Sequence, residues 1–146
     1  MDTPFNILVA EDNEDDLFLL EQAFKKAAVT SRLYPVRDGY EALAYLKRED
    51  PYGDETAYPS PDIVLLDLNM PRVNGFEVLE WLRQQPTLGR LMVHVLTASC
   101  REDDVKRAYD LRANSFVVKP SRVDELVAFV TALHTWHRIV CLPPKL

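Results

Sequence analysis

Four short, almost unbroken apolar runs constrain this chain more than any other feature: residues 7–10 (Ile-Leu-Val-Ala), 63–66 (Ile-Val-Leu-Leu), 92–96 (Met-Val-His-Val-Leu) and 116–118 (Phe-Val-Val). A run of this length without polar alternation has no face to offer water, so each reads as a strand covered on both sides. A weaker fifth run is Leu33-Tyr34-Pro35-Val36. Helical spacing follows each run: Leu17, Leu20, Ala23 and Phe24; Ala42, Leu43, Tyr45 and Leu46; Phe76, Val78, Leu79 and Leu82; Val105, Ala108, Tyr109 and Leu111; Leu126, Val127, Val130 and Leu133. Strand and helix alternate five times. Parallel strands are joined by crossovers, and helices then cover both faces. The expectation is an α/β fold, a doubly wound five-stranded parallel sheet.

Helix punctuation agrees with this. Asn74 precedes Gly75-Phe76-Glu77 as an N-cap, and Ser121 is expected to cap the last helix, with Asp124 and Glu125 in its first turn. Residues 51–61 are rich in turn formers and lack periodicity, so they read as a long surface loop, most simply a tolerated insertion. At 146 residues and 47% hydrophobic, the chain suits one core and one domain. Seventeen basic against 23 acidic residues give a net charge of -6 with no Lys/Arg-rich run, which argues against direct nucleic-acid binding. The N-terminus lacks a signal-peptide pattern, and charges interrupt every stretch long enough to cross a bilayer. Cys100 and Cys141 form neither a metal-spaced pair nor a disulfide framework. A soluble, cytoplasmic protein is expected.

The polar residues just past the strands carry the chemistry. Glu11 and Asp12 follow the first strand, Asp67 the third, Thr97 the fourth and Lys119 the fifth. In open parallel sheets these points share the carboxyl edge, and with strand order 2-1-3-4-5 the first and third strands flank the crevice where the order reverses. Glu11, Asp12 and Asp67 then meet. Like charges at 4 Å repel by roughly 4 kcal/mol at an effective dielectric near 20, so something must offset them. Mg2+ suits the task, since it takes hard oxygen ligands, keeps waters and favours one or two carboxylates plus a phosphate oxygen. Calcium would want more protein oxygens. With the charge screened, Asp67 can attack phosphorus while Lys119 and Thr97 hold the phosphoryl oxygens. Singly, each residue has a plainer reading: acids 11–16 as a helix start, with Asp15 and Asp16 only that, Asp67 and Thr97 as caps, Lys119 as a solvated charge. Only the joint arrangement favours phosphoryl chemistry.

These motifs resemble the response-regulator receiver family over residues 5–134. They are Ile7-Leu8-Val9-Ala10-Glu11-Asp12, Ile63-Val64-Leu65-Leu66-Asp67-Leu68-Asn69-Met70-Pro71, Asn74-Gly75, Leu96-Thr97-Ala98-Ser99 and Val118-Lys119-Pro120. The resemblance implies that Asp67 is the phosphoacceptor, that Asp12 binds Mg2+ directly and Glu11 largely through a metal-bound water, and that Asn69 offers its backbone carbonyl. Thr97 and Lys119 would contact the phosphoryl group. Thr97 and Phe116 would form the switch, Thr97 moving towards the phosphate and Phe116 swinging inward, coupled to a surface of the fourth helix, fifth strand and fifth helix. A cis bond at Lys119-Pro120 is also implied.

Several positions depart from the family pattern. Glu11 stands for the commoner Asp, Phe116 for a frequent Tyr, and Arg112 for a usual Gly, where a left-handed conformation would carry strain. His94 interrupts an apolar strand and reads as a satisfied buried imidazole rather than a ligand. Residues 135–146 form a C-terminal extension without room for an output domain, so a stand-alone regulator is expected. The long loop and the Trp136-containing, Leu-Pro-Pro tail are similar to small regulators paired with bacterial phytochrome histidine kinases. A histidine kinase is the implied partner, with onward phosphorelay within the same reading, and no enzymatic turnover beyond the protein's own phosphorylation and dephosphorylation. The apolar tail residues Trp136, Ile139, Val140 and Leu142 suggest a homodimer, unless they fold back. Competing readings are a hydrolase with an aspartyl-phosphate intermediate, which would want a second carboxylate where Asn69 stands, a flavin or nucleotide carrier, which would want a Gly-rich loop rather than acids 11–16, and an interaction domain that has lost phosphorylation.

Overall fold

The computed structural model describes residues 4–145. The chain runs β1 (Asn6–Ala10), α1 (Glu14–Ala27), β2 (Arg32–Val36), α2 (Gly39–Leu46), β3 (Ile63–Leu66), α3 (Gly75–Arg83), a 3-10 turn (Leu88–Arg90), β4 (Met92–Thr97), α4 (Glu102–Asp110), β5 (Ser115–Val118) and α5 (Val123–Ile139). All strand pairs are parallel, in the order β2-β1-β3-β4-β5. The α/β expectation and the 2-1-3-4-5 order hold.

Because successive strand residues point to opposite faces, each apolar run feeds two cores. Leu8, Ala10, Val64, Leu66, Val93 and Val95 meet Ala42, Tyr45 and Leu46 of α2, Phe76, Val78, Leu79 and Leu82 of α3, and Ala108 of α4. Ile7, Val9, Ile63, Leu65 and Leu96 meet Leu17, Leu20, Ala23 and Phe24 of α1 and Leu126, Val130 and Leu133 of α5. The weak fifth run is β2, an edge strand, where Pro35 leaves no central ladder bond unmade.

Three helix starts are capped by side chains: Asn13 accepts from the Asp16 N–H, Asp38 from Glu41 and Asn74 from Glu77, at 2.9, 2.8 and 3.0 Å. The expected Ser121 cap is not formed. Val123 is the first residue of α5, so the cap position falls on Arg122, which makes no side-chain cap bond, and Asp124 and Glu125 meet the helix dipole instead. Arg112 does adopt the left-handed conformation, with φ 67°. Its carbonyl accepts from Arg83 Nη2 at 2.7 Å, and its own Nη2 donates to the Arg83 carbonyl at 2.9 Å, a reciprocal clasp that offsets the strain.

Loop 51–61 is packed rather than loosely inserted. Tyr52 packs tilted and Tyr58 edge-on against the Tyr45 ring, at centroid distances of 5.0 and 5.9 Å, Tyr45 donates to the Pro59 carbonyl at 2.7 Å, and Arg48 donates to that of Tyr58. The cis X-Pro bond is Asp50-Pro51, and Lys119-Pro120 is trans, contrary to the family expectation. The trans form is the one an X-Pro bond ordinarily prefers, by about 0.5–1 kcal/mol. Past α5 the tail folds back: Lys145 pairs with Asp62 at 2.8 Å and donates to the Ser60 carbonyl, with Leu142 half-buried. Trp136 and Ile139 stay exposed. Among the described residues, no helix is long and apolar enough to cross a membrane.

Candidate functional site

The sheet itself delivers the site. Beyond the strand ends the hydrogen-bond ladder continues: Glu11 N–H donates to the Val36 carbonyl, Asp67 to Ala10 and Lys119 to Thr97, at 3.0, 3.0 and 2.8 Å. These residues are therefore fixed in register on one edge. Glu11, Asp12 and Asp67 each offer a carboxylate oxygen within 4.8 Å of the others, Glu11 and Asp67 buried and Asp12 exposed.

Asp67 is held at both oxygens. The Thr97 hydroxyl, wholly buried, donates to Oδ1 at 3.0 Å, and the Asn69 N–H reaches the same atom at 3.2 Å. Lys119 Nζ reaches Oδ2 at 3.1 Å, Glu11 Oε1 at 2.5 Å and Asp16 Oδ2 at 2.8 Å. Asp16 was read as a mere helix-start acid, and that reading is corrected by its contact with Lys119. Asp15 remains exposed.

Burial pushes Glu11 up to about 7, against the opposing hydrogen bonds of Lys119 and the Asn13 N–H. For Lys119, burial favours the neutral amine, but hydrogen bonds to Asp16 and Glu11 and the charge of Asp67 outweigh it and hold the ammonium charged. One ammonium thus meets three carboxylates, Glu11, Asp16 and Asp67, with Asp12 beside Glu11 and Asp67, and this surplus of hard oxygen donors suits a divalent cation.

Thr97 and Phe116 lie on the same face of adjacent strands, since Val95 pairs with Phe116 and Thr97 with Val118. Phe116 is half-buried, and its N–H donates to the Tyr109 hydroxyl at 3.1 Å, which ties β5 to α4. On the other face His94 is satisfied, as expected, but by an unforeseen partner. Its Nε2 lies 2.8 Å from His137 Nε2 and its Nδ1 2.6 Å from Ser115 Oγ.

In that pair one imidazole donates and the other accepts, which requires the accepting ring to be neutral. Burial depresses both pKa values to about 4, with the neighbouring His137 adding to the shift at His94. A histidine depressed in the folded state stabilises the fold fully above its unfolded pKa near 6.5, and that contribution is lost as pH falls towards 4. At most about 3 kcal/mol is at stake for each. Glu11, raised, acts oppositely between about 4.5 and 7, favouring the fold on the acid side. The expected result is therefore a difference: denaturant titrations from pH 7 to 4 should show wild type losing more stability than a His94→Leu/His137→Leu double variant, in which the Glu11 share cancels. Parallel curves would contradict the neutral pair.

The sequence matches the family model for the response regulator receiver domain over residues 7–131. The chain belongs to the response-regulator receiver family. Response regulator Rcp1 of Synechocystis sp. (strain ATCC 27184 / PCC 6803 / Kazusa) is 36% identical over 141 residues, 96% of this chain and 94% of that protein. Rcp1 has a solved Mn(2+)-bound form, with TM-score 0.83 to this receiver. The phosphorylated cyanobacterial phytochrome response regulator RcpA superposes with TM-score 0.87 at 36% identity, covering 97% of this chain and 100% of that one. Response regulator RPA3017, in red light signaling of R. palustris, gives 0.90 at 36% identity, covering 97% and 99%. Phosphorylation and divalent-metal binding are typical of this family, and relatives of this kind imply a histidine kinase partner.

Proposed function

We propose that this receiver accepts a phosphoryl group on Asp67 from a histidine kinase, with Mg2+ as its cation. The observation that carries the proposal is the convergence of Thr97 and Lys119 on separate oxygens of the one Asp67 carboxylate, beside Glu11 and Asp12. Mg2+ would be held by Asp12, Asp67 and the Asn69 backbone carbonyl, with Glu11 acting through water, and it supplies charge neutralisation at the transferring group. Asp67 attacks phosphorus, the bond to the donor nitrogen breaks, and the imidazole leaves with the electron pair. Lys119, already charged and reaching Asp67, meets the charge developing on the phosphoryl oxygens, and the Thr97 hydroxyl turns from Asp67 to one of them. Phe116 then follows Thr97 on the same sheet face and alters the surface around α4, β5 and α5.

In this reading residues 5–134 are the receiver and residues 135–146 an extension, and the protein works in the cytoplasm as a response regulator or relay shuttle. It is a signalling protein without turnover of external phosphate esters. The Rcp1 and RcpA likenesses favour a phytochrome-type kinase. Net charge -6 favours a protein partner over nucleic acid. A homodimer through the exposed Trp136 and Ile139 end of α5 is part of the proposal, the rest of the apolar tail being folded back. Acetyl phosphate or beryllofluoride with Mg2+ should shift amide resonances around Asp67, Thr97 and Phe116 in wild type and not in Asp67→Ala; identical spectra would refute the proposal. Light scattering should give twice the chain mass, and a monomer before and after phosphorylation would remove the dimer.

A further inference from the structure

The segment between Asp67 and α3 carries Asn69, whose N–H donates to Asp67 Oδ1, and its far end is fastened away from the site. The Val73 N–H bonds the Pro71 carbonyl at 2.8 Å, closing a three-residue turn with Arg72 at its centre and φ 66°. A turn of this hand is the rare, strained form, and a non-glycine residue persists there only when its surroundings impose it.

Asp38 imposes it. Arg72 Nε and Nη2 both reach Asp38 Oδ2, at 2.8 and 2.7 Å, while Asp38 Oδ1 caps α2. The guanidinium lies over the Tyr40 ring, 4.4 Å from its centroid. Next to Asp38, Gly39 approaches the turn so closely that a Cβ there would fall 1.9 Å from the Val73 carbonyl oxygen. The turn is pinned twice, by its side chain to Asp38 and Tyr40 and by its backbone to Gly39. Lysine could supply the charge but not the planar fork that both reaches the carboxylate and stacks on the ring.

We propose that the Arg72–Asp38 ion pair is a positioning device for the Asp67 site, holding residues 68–73 so that the Asn69 backbone stays registered against Asp67 and its cation. The inference rests on the metal-dependent reading of that site. Strained turns clustered beside a functional group, held by partners outside it, are the pattern of pre-organised sites, and loss of such outer support typically weakens metal affinity about 10–100-fold.

Calorimetric titration of the full-length protein with Mg2+ tests this, with thermal unfolding measured alongside. Arg72→Gly is the informative variant, because glycine tolerates the left-handed conformation and relieves strain while removing the clamp. Its Tm should stay within a few degrees of wild type while Mg2+ affinity falls about tenfold. Asp38→Asn keeps the helix cap through Oδ1 and loses the charge, so it should weaken Mg2+ binding similarly. The double variant should be no worse than either single one, since both changes break one link. Arg72→Lys should recover part of the affinity. Unchanged Mg2+ affinity in Arg72→Gly, with wild type binding normally, overturns this inference alone, as would affinity falling only in step with Tm in every variant. Failure of wild type to bind Mg2+ overturns the metal-dependent reading and this inference with it.

Discussion

Lys119→Met will leave a folded protein that accepts phosphoryl groups at least a hundredfold more slowly and, without metal, unfolds about 10 °C earlier. Both effects follow from one ammonium reaching Glu11, Asp16 and Asp67 within 3.1 Å. Removing a single pre-organised donor to developing oxyanion charge typically costs 10²–10³ in rate. Removing one partner of a buried ion pair leaves the others uncompensated, at about 3 kcal/mol, and each kcal/mol moves Tm by about 2–4 °C in a chain of this size. The destabilisation has a pH signature. Glu11, raised to about 7 even with Lys119 present, takes up a proton more readily without it, so the loss should be largest above neutrality and shrink towards pH 5. Mg2+ should restore part of the stability and none of the lysine's share of the rate. A variant as stable and as readily phosphorylated as wild type would contradict the role given to Lys119.

Gly75→Ala should be the more damaging change to the fold. The first residue of α3 lies against the end of β3, where a Cβ would sit 2.3 Å from the Asp67 carbonyl oxygen and 2.8 Å from Leu68 Cα. Those are backbone atoms, and the Gly75 N–H bonds the Leu68 carbonyl at 3.0 Å, so neither side can yield without moving Asp67. Overpacking of this kind costs typically 1–3 kcal/mol and more where backbone must shift. A Tm loss of about 10 °C or outright insolubility is expected, with phosphorylation of any folded fraction depressed. Gly53→Ala is the control, because its Cβ would meet only the Arg48 carbonyl at 3.7 Å, an ordinary contact. It should lie within about 0.5 kcal/mol of wild type in denaturant titrations. Equal stability of the two alanine variants would count against the close approach of α3 to β3.

Both variants probe features that differ in how far they could be read in advance. Residues 63–66 announce a central strand because four consecutive apolar side chains must be covered on two faces, and that follows from composition over a short window. β2 was the weakest of the five because an edge strand needs little apolar surface and tolerates Pro35. The Asp67 site was legible for the same reason as the sheet, since each of its residues follows a strand whose end is fixed. What escaped was set by long-range geometry. Asp16 looks like any acid in a first helical turn until Lys119, 103 residues away, is brought to it. His94 shows in the sequence as a polar intruder in a strand, but its partner His137 is separated by 43 residues and depends on the docking of α5. Ser121 failed as a cap because capping depends on the single residue at which α5 begins. The Arg72 turn left no trace, since a strained φ is imposed by Asp38 and Gly39 rather than by Arg72 itself.

The central claim, that Asp67 is the phosphoryl acceptor, is tested most directly by mapping the acyl phosphate. Wild type and Asp67→Asn would be incubated with a phosphorylated histidine kinase and Mg2+, reduced with borohydride, which converts an aspartyl phosphate to homoserine, and digested for mass spectrometry. The account predicts homoserine at position 67 in wild type, none in Asp67→Asn, and none in wild type when the metal is chelated. Phosphoryl transfer to another residue, or undiminished labelling of Asp67→Asn, would contradict it.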